Sequence, residues 1–273
     1  MQSLIFGMIA ALTWGFHDFL VRHVSQRAGA APLLFVALLS GSAAFMPVAA
    51  LLGNWGQMNL RAAGFALTSG LCFGLANVAL YRAFAIGPVR LVAPITGTFP
   101  MLSIGITALQ GNRPQVWEWL AVLAVLAGIA LVAHQKHTMQ AGHRTRLMAM
   151  AWAALASVCF ALTFAAGQFA VREGADLPVL LLTRLAALAL IGTTVFLRRD
   201  GLTTVRPYLK LLCVIGSLDV IALGFVLAAG RLANPEYASI TSSTYGMVTI
   251  LLAWRFMGEP MQPLQWLGVA VVF

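Results

Sequence analysis

Residues 87–120 read GPVRLVAPITGTFPMLSIGITALQGNRPQVWEWL, and residues 234–267 read NPEYASITSSTYGMVTILLAWRFMGEPMQPLQWL. Laid over one another without a gap, Gly87-Pro88 falls on Asn234-Pro235, Gly111-Asn112 on Gly258-Glu259 and Trp119-Leu120 on Trp266-Leu267, always 147 residues apart. Each passage holds an apolar run between Gly, Asn and Pro turn signals. The runs approach the roughly 20 residues a helix needs to cross a hydrocarbon core about 30 Å thick. The same punctuation around two such runs marks a duplicated membrane-spanning unit.

Outward from these passages the copies stay in register. Ala11-Leu12-Thr13-Trp14 and Phe19-Leu20-Val21-Arg22 match Ala161-Leu162-Thr163-Phe164 and Phe169-Ala170-Val171-Arg172 at a separation of 150, and Pro32 corresponds to Pro178. Apolar runs at 4–21, 31–52, 62–86, 91–109 and 116–133 are followed by runs at 147–171, 177–197, 209–229 and 238–257, with a tenth from 264 to 273. The fold expected is therefore all-α and integral to the membrane, with ten transmembrane helices in two five-helix repeats. An odd number of spans per repeat inserts the second copy in the opposite sense, an inverted arrangement shared by many secondary transporters. The tenth run is half a span long where its mate ends near Ala133, so it is expected to be clipped. The repeats are placed at 1–137 and 147–273, joined by a basic linker at 138–146.

Composition agrees. Of 273 residues 60% are hydrophobic and 9% charged, whereas a soluble domain carries about 25% charged residues. The net charge of +9 belongs to loop arginines and lysines; no basic run is interleaved with aromatics, which excludes a nucleic-acid surface. Cys72, Cys159 and Cys213 lie far apart in apolar runs and are expected to pack as buried hydrophobes. His134, His137 and His143 fall in a solvated interfacial loop, and neither a metal nor a cofactor is expected. No basic region precedes the first apolar run, so it reads as a span and not a cleavable leader.

Trp14-Gly15 in the first span, Pro32 and Pro178 ahead of the second and seventh, and the passage from Gly258-Glu259 to Gln265-Trp266-Leu267-Gly268 resemble the EamA-type permeases of the drug/metabolite transporter superfamily. The resemblance covers both copies. It implies export of amino acids and related metabolites, linked to a proton or other gradient, through a central cavity between the halves. The first copy departs from the pattern at Asn112, where the family often has Glu, and at Val116-Trp117-Glu118-Trp119.

Charge inside a span costs about 2.5–3.5 kcal/mol or more, so it faces a cavity or a partner. Asp219, midway along the eighth span, suits proton coupling or the counter-charge of a substrate amine. Arg184, at similar depth in the seventh, is its expected counter-ion or a fork for a substrate carboxylate. His17 and Asp18 lie near the end of the first span and join Asp219 as candidate coupling groups. The fourth span carries Pro94, Gly97 and Pro100, and the ninth the hydroxyl run Ser239 to Thr244. Interruptions at matching places in the halves point to a midplane substrate site, which proposes Thr96, Thr98, Ser242, Ser243 and Tyr245 as binding residues beside Trp14, Asn77 and Tyr81. The alternative is that these hydroxyls only join packed helices, as the small pair Gly70 and Gly74 is expected to do.

The function expected is a secondary transporter, an exporter of a small polar metabolite working by alternating access across the inner membrane, with protons available as the coupling ion, as a monomer or homodimer. A membrane-embedded enzyme and a helix-bundle scaffold are the other classes. The enzyme lacks any His-Glu-x-x-His or Gly-x-Ser-x-Gly motif to support it. Twelve of the seventeen Lys and Arg residues follow odd-numbered spans, which places those loops in the cytoplasm and the N-terminus outside; the family resemblance implies the reverse.

Overall fold

The computed structural model describes residues 1–25, 29–86, 92, 95–109, 115–133, 143–198, 201–257 and 263–272. Gly87-Pro88, Pro94, Gly111 to Pro114, His134 to His137 and Gly258 to Pro260, all used as turn or linker signals, lie outside them. The helices are α1 (Gln2–Ser25), α2 (Ala30–Leu52), α3 (Leu60–Ile86), α4 (Phe99–Leu109), α5 (Val116–Ala133), α6 (His143–Glu173), α7 (Asp176–Arg198), α8 (Leu209–Ala228), α9 (Glu236–Ser242), α10 (Tyr245–Met257) and α11 (Pro263–Val272). Among the described residues there is no strand. Helices satisfy every backbone group within the segment, which hydrocarbon surroundings demand.

Among the described residues, six stretches are long and apolar enough to cross a membrane: Gln2–Val21, Ala31–Leu52, Leu60–Ala83, Arg144–Glu173, Asp176–Arg198 and Leu202–Arg231. They coincide with the first to third and sixth to eighth expected spans. The fourth and ninth differ from a plain span in a matched way. A turn at Gly97-Thr98 precedes α4, and a turn at Ser243-Thr244 separates α9 from α10, 146 residues later. At the first, the Thr98 amide donates to the Ile95 carbonyl (3.2 Å) and the Met101 amide to the Thr98 carbonyl (3.0 Å). At the second, Thr244 donates to Thr241 (3.2 Å) and Met247 to Thr244 (2.9 Å). The sequence offered prolines and a glycine as the interruption of the fourth span and a hydroxyl run in the ninth, yet the two turns are built alike. Both are three-residue-spaced bonds held by a threonine hydroxyl donating back to the preceding turn: Thr98 Oγ1 to the Ile95 carbonyl at 2.7 Å and Thr244 Oγ1 to the Thr241 carbonyl at 2.8 Å.

The helices interlock through small residues. α3 lies along α6 and α7, α8 along α1 and α2, and α5 along α11. Gly70 of α3 touches the Thr183 backbone of α7 so closely that an added Cβ would lie 2.2 Å from the carbonyl oxygen. Gly216 of α8 meets the Ala37 carbonyl of α2 with a corresponding 2.1 Å. Gly216 stands 146 residues after Gly70, and Thr183 146 after Ala37, so one close contact occurs twice with the roles of the halves exchanged. Gly74 continues the α3–α7 contact against Ala187 and Leu190, as its spacing from Gly70 predicts.

Large apolar side chains such as Leu51, Leu60, Phe196 and Leu197 face outward, where lipid takes the place of water. Cys159 is buried, Cys72 half-buried and Cys213 exposed. The expectation of three buried thiols fails at Cys213 because an outward thiol costs little against lipid. Arg144 and Arg146, assigned to the linker by their charge, form the first turn of α6; a helix can continue past the hydrocarbon into the interface.

Candidate functional site

The middles of α1, α3, α6 and α8 and the first residues of α4 and α10 meet around a small chamber with a cavity volume of about 40 Å³. Helical periodicity decides what enters it. Trp14, His17 and Asp18 lie three or four residues apart on one face of α1, as do Phe73, Asn77 and Leu80 on α3 and Phe160 and Phe164 on α6. Phe99 of α4, Asp219 of α8 and Tyr245 of α10 complete the wall. Its rings form a connected set. The centroids of Trp14 and Phe164, equivalent positions in the two halves, are 5.8 Å apart; Phe164 meets Phe99 edge-on at 5.2 Å, and Trp14 meets Tyr245 at 6.3 Å.

Asp219 is held from two sides. Arg184 Nη1 donates to one carboxylate oxygen at 2.6 Å and the Trp14 indole N–H donates to the other at 3.1 Å. The partners that depth alone suggested therefore touch. Arg184 is 0% exposed and lies behind Asp219, away from the chamber wall. Its guanidinium fits only because Gly41 lacks a side chain: a Cβ there would stand 2.7 Å from Nη2 and 2.2 Å from the Gly216 carbonyl oxygen. Among the described residues Nη2 and Nε have no hydrogen-bond partner.

The second acid is held more loosely. His17 Nδ1 lies 2.8 Å from Asp18 Oδ1, and the Asp18 side chain is 26% exposed. With the carboxylate ionised, Nδ1 must be the protonated nitrogen of the pair. Asn77 donates its side-chain N–H to the Phe73 carbonyl at 2.9 Å, which leaves its amide oxygen as an acceptor.

The remaining sequence candidates lie elsewhere. Tyr81, one turn beyond Asn77, lines a wider opening near Arg82, Thr194, Arg198 and Thr204, with a volume of about 450 Å³. Thr96 is fully buried, and its hydroxyl has no hydrogen-bond partner among the described residues. Thr98 bonds Ser157 Oγ at 2.8 Å, Ser242 donates to the Ser239 carbonyl at 3.0 Å and Ser243 to the Ile240 carbonyl at 2.7 Å. None of these four hydroxyls lines the chamber. Conversely, sequence reasoning passed over Phe73, Phe99, Phe160, Phe164 and Leu80. Only the four-residue spacing of Phe160 and Phe164 signalled a shared face, and that spacing is equally a core signature.

Residues 1–133 and residues 147–273 each match the model of the EamA-like transporter family. The chain belongs to that family. As an EamA-like protein it is a multi-pass membrane transporter of the drug/metabolite type, with a small-molecule substrate and a lipid surround. A solved structure titled "Crystal structure of protein" is similar in fold to this EamA-like bundle, with a TM-score of 0.81 at 16% identity over 99% of this chain and 93% of that one. The curated proteins contain no match.

Proposed function

We propose that the chain is an alternating-access carrier that exports a small polar metabolite, of the amino-acid type or related to it, across the inner membrane. In this reading the chamber is the substrate site, and Asp219, His17 and Asp18 are the groups through which a proton gradient acts. One observation carries it: both halves of the chain contribute side chains to one chamber midway along the bundle, with Trp14 of one half against its counterpart Phe164 of the other. A site on the seam between two similar units is where rocking of one against the other exchanges access between the two faces.

Ten spans in two oppositely inserted five-helix units, at 1–137 and 147–273 with a basic segment between, complete the proposal. The matched turns at Thr98 and Thr244 and the exchanged contacts of Gly70 and Gly216 support it. With the basic loops cytoplasmic, the N-terminus lies outside; a reporter fused within 134–146 that is active only in the periplasm overturns that orientation.

The test is efflux of a panel of radiolabelled amino acids from proteoliposomes, with and without an imposed pH gradient. At least one compound is expected to leave faster than from empty liposomes, faster still with the gradient, and to lose the acceleration in Asp219→Asn. Flux equal to that of empty liposomes for every compound refutes the carrier; flux indifferent to the gradient refutes only the coupling.

A further inference from the structure

We infer that the opening around Arg82 and Arg198 is a binding site for the headgroup of an anionic phospholipid, held on the seam between the two halves at the basic end of the bundle. The inference stands apart from the carrier reading, because this space is distinct from the chamber. The two share no lining residue, and of the helices around the chamber only α3 reaches the opening. Its other walls are the start of α2, the last two turns of α7 and the short segment Leu202–Tyr208 that follows.

The charge at the opening is of one sign. Arg82 enters from α3 and Arg198 from α7, and no described lining residue carries a carboxylate. Among the described residues neither guanidinium has an ion pair; those present join His17 to Asp18, Arg184 to Asp219 and Arg231 to Asp176. The described acids outside the middle of the bundle, Glu173, Asp176 and Glu236, stand at the opposite end, where α6 ends and α7 and α9 begin. Arg199 and Asp200, next in sequence, lie outside the described residues and together add no net charge. Two guanidiniums turned to one cavity repel, and an anion between them reverses that. Thr194 and Thr204 donate their hydroxyl hydrogens to the Ile191 carbonyl (2.7 Å) and the Gly201 carbonyl (3.3 Å), which leaves donation chiefly to the arginine forks. Their planar N–H pairs match phosphate oxygens two at a time.

The surroundings favour a lipid over a free phosphate. One helical turn inward from Arg82 the wall is Val78, and Pro32 and Leu34 continue it on α2, an apolar floor that a bare phosphate would leave uncovered. Beside Arg198, Phe196 and Leu197 are 68% and 80% exposed on the outward surface, so acyl chains reach the rim without crossing water. The volume of about 450 Å³ falls within the roughly 300–1,000 Å³ of ligand pockets. Basic pockets between helices on the cytoplasmic side are the kind that take anionic headgroups. Because Arg82 belongs to the first half and Arg198 to the second, a bound phosphate ties the halves together at this end.

The experiment is native mass spectrometry of the delipidated protein in neutral detergent. It is titrated with phosphatidylglycerol or with phosphatidylcholine of matched acyl chains, with inorganic phosphate as competitor. The first phosphatidylglycerol is expected to bind about tenfold more tightly than phosphatidylcholine, the strength of one charge-assisted contact. Arg82→Gln and Arg198→Gln are each expected to erase most of that preference. Arg206→Gln and Lys210→Gln, exposed at the same end but outside the opening, are expected to leave it intact. Both lining arginines are exposed, so their variants should unfold at the midpoint of the unaltered protein. Phosphatidylglycerol that binds no more tightly than phosphatidylcholine overturns the inference. So does a loss in the Arg206 and Lys210 variants as large as in the lining ones, which would make the attraction diffuse. Displacement of phosphatidylglycerol by inorganic phosphate at equal concentration overturns the lipid assignment in favour of a soluble phosphate. None of these readings measures transport, so refutation of the carrier leaves them standing.

Discussion

Arg184 and Asp219 in the second half correspond, 146 residues earlier, to Leu38 and Phe73 in the first. All four side chains are buried, and the equivalent helices cross through equivalent glycine contacts. One half fills the space with hydrocarbon and the other with a salt bridge, so the framework does not require the charge for packing. A buried pair is weak evidence for stability, since desolvation offsets most of the attraction. Its presence in one half alone separates what holds the bundle together, which is shared, from what the chamber needs, which is not.

The comparison breaks most visibly if one partner of the pair is removed. Arg184→Met leaves the Asp219 carboxylate buried with only Trp14, and is expected to cost about 3–5 kcal/mol in denaturant unfolding in detergent. Adding Asp219→Asn should recover most of that loss, because the first half already shows an uncharged solution at these positions. If the double variant is as unstable as Arg184→Met, the two halves are not packing equivalents. The glycine contacts come next. Gly70→Ala and Gly216→Ala each drive a methyl into a backbone carbonyl that cannot swing away, expected to lower stability by about 3 kcal/mol apiece. A difference between them well beyond the error of the same unfolding assay would undo the equivalence.

Smaller effects sharpen it. Trp14→Phe makes position 14 identical to its mate Phe164 and removes the N–H donated to Asp219, an expected loss of about 1.5 kcal/mol seen as a lower unfolding midpoint. Thr98→Val and Thr244→Val remove the hydroxyl bonds at the two helix turns. Thr98→Val also removes the bond to Ser157 Oγ on α6 and should cost about 0.6 kcal/mol more than Thr244→Val, typical of a side-chain hydrogen bond between helices in a membrane, read from the same unfolding midpoints.

Much of the architecture was legible in the residues. The two aligned passages and the scarcity of charge point by themselves to a duplicated helical membrane bundle. Gly70 and Gly74 announced a close crossing by their spacing. Of the chamber wall, Trp14, His17, Asp18, Asn77, Asp219 and Tyr245 were among the residues the sequence singled out, and Asp219 was paired with Arg184 from depth alone. The hydroxyl run of the ninth span misled in its detail. Ser242 and Ser243 turn back onto their own helix, because a hydroxyl with no water nearby takes the nearest carbonyl, and sequence does not say which way it turns.

By itself the sequence determined the solvent, since residues this apolar cannot face water, and the repeat, since register between copies is a property of order along the chain. Only the tertiary structure decided which side chains share a chamber, because that depends on how far each helix is rotated about its axis against neighbours remote in sequence. A Phe at position 73 reads the same whether it faces core, lipid or substrate; the packing of α3 against α6 and α7 turns it inward. The packing also separates two acids that look alike on paper, closing Asp219 behind Arg184 and leaving Asp18 open.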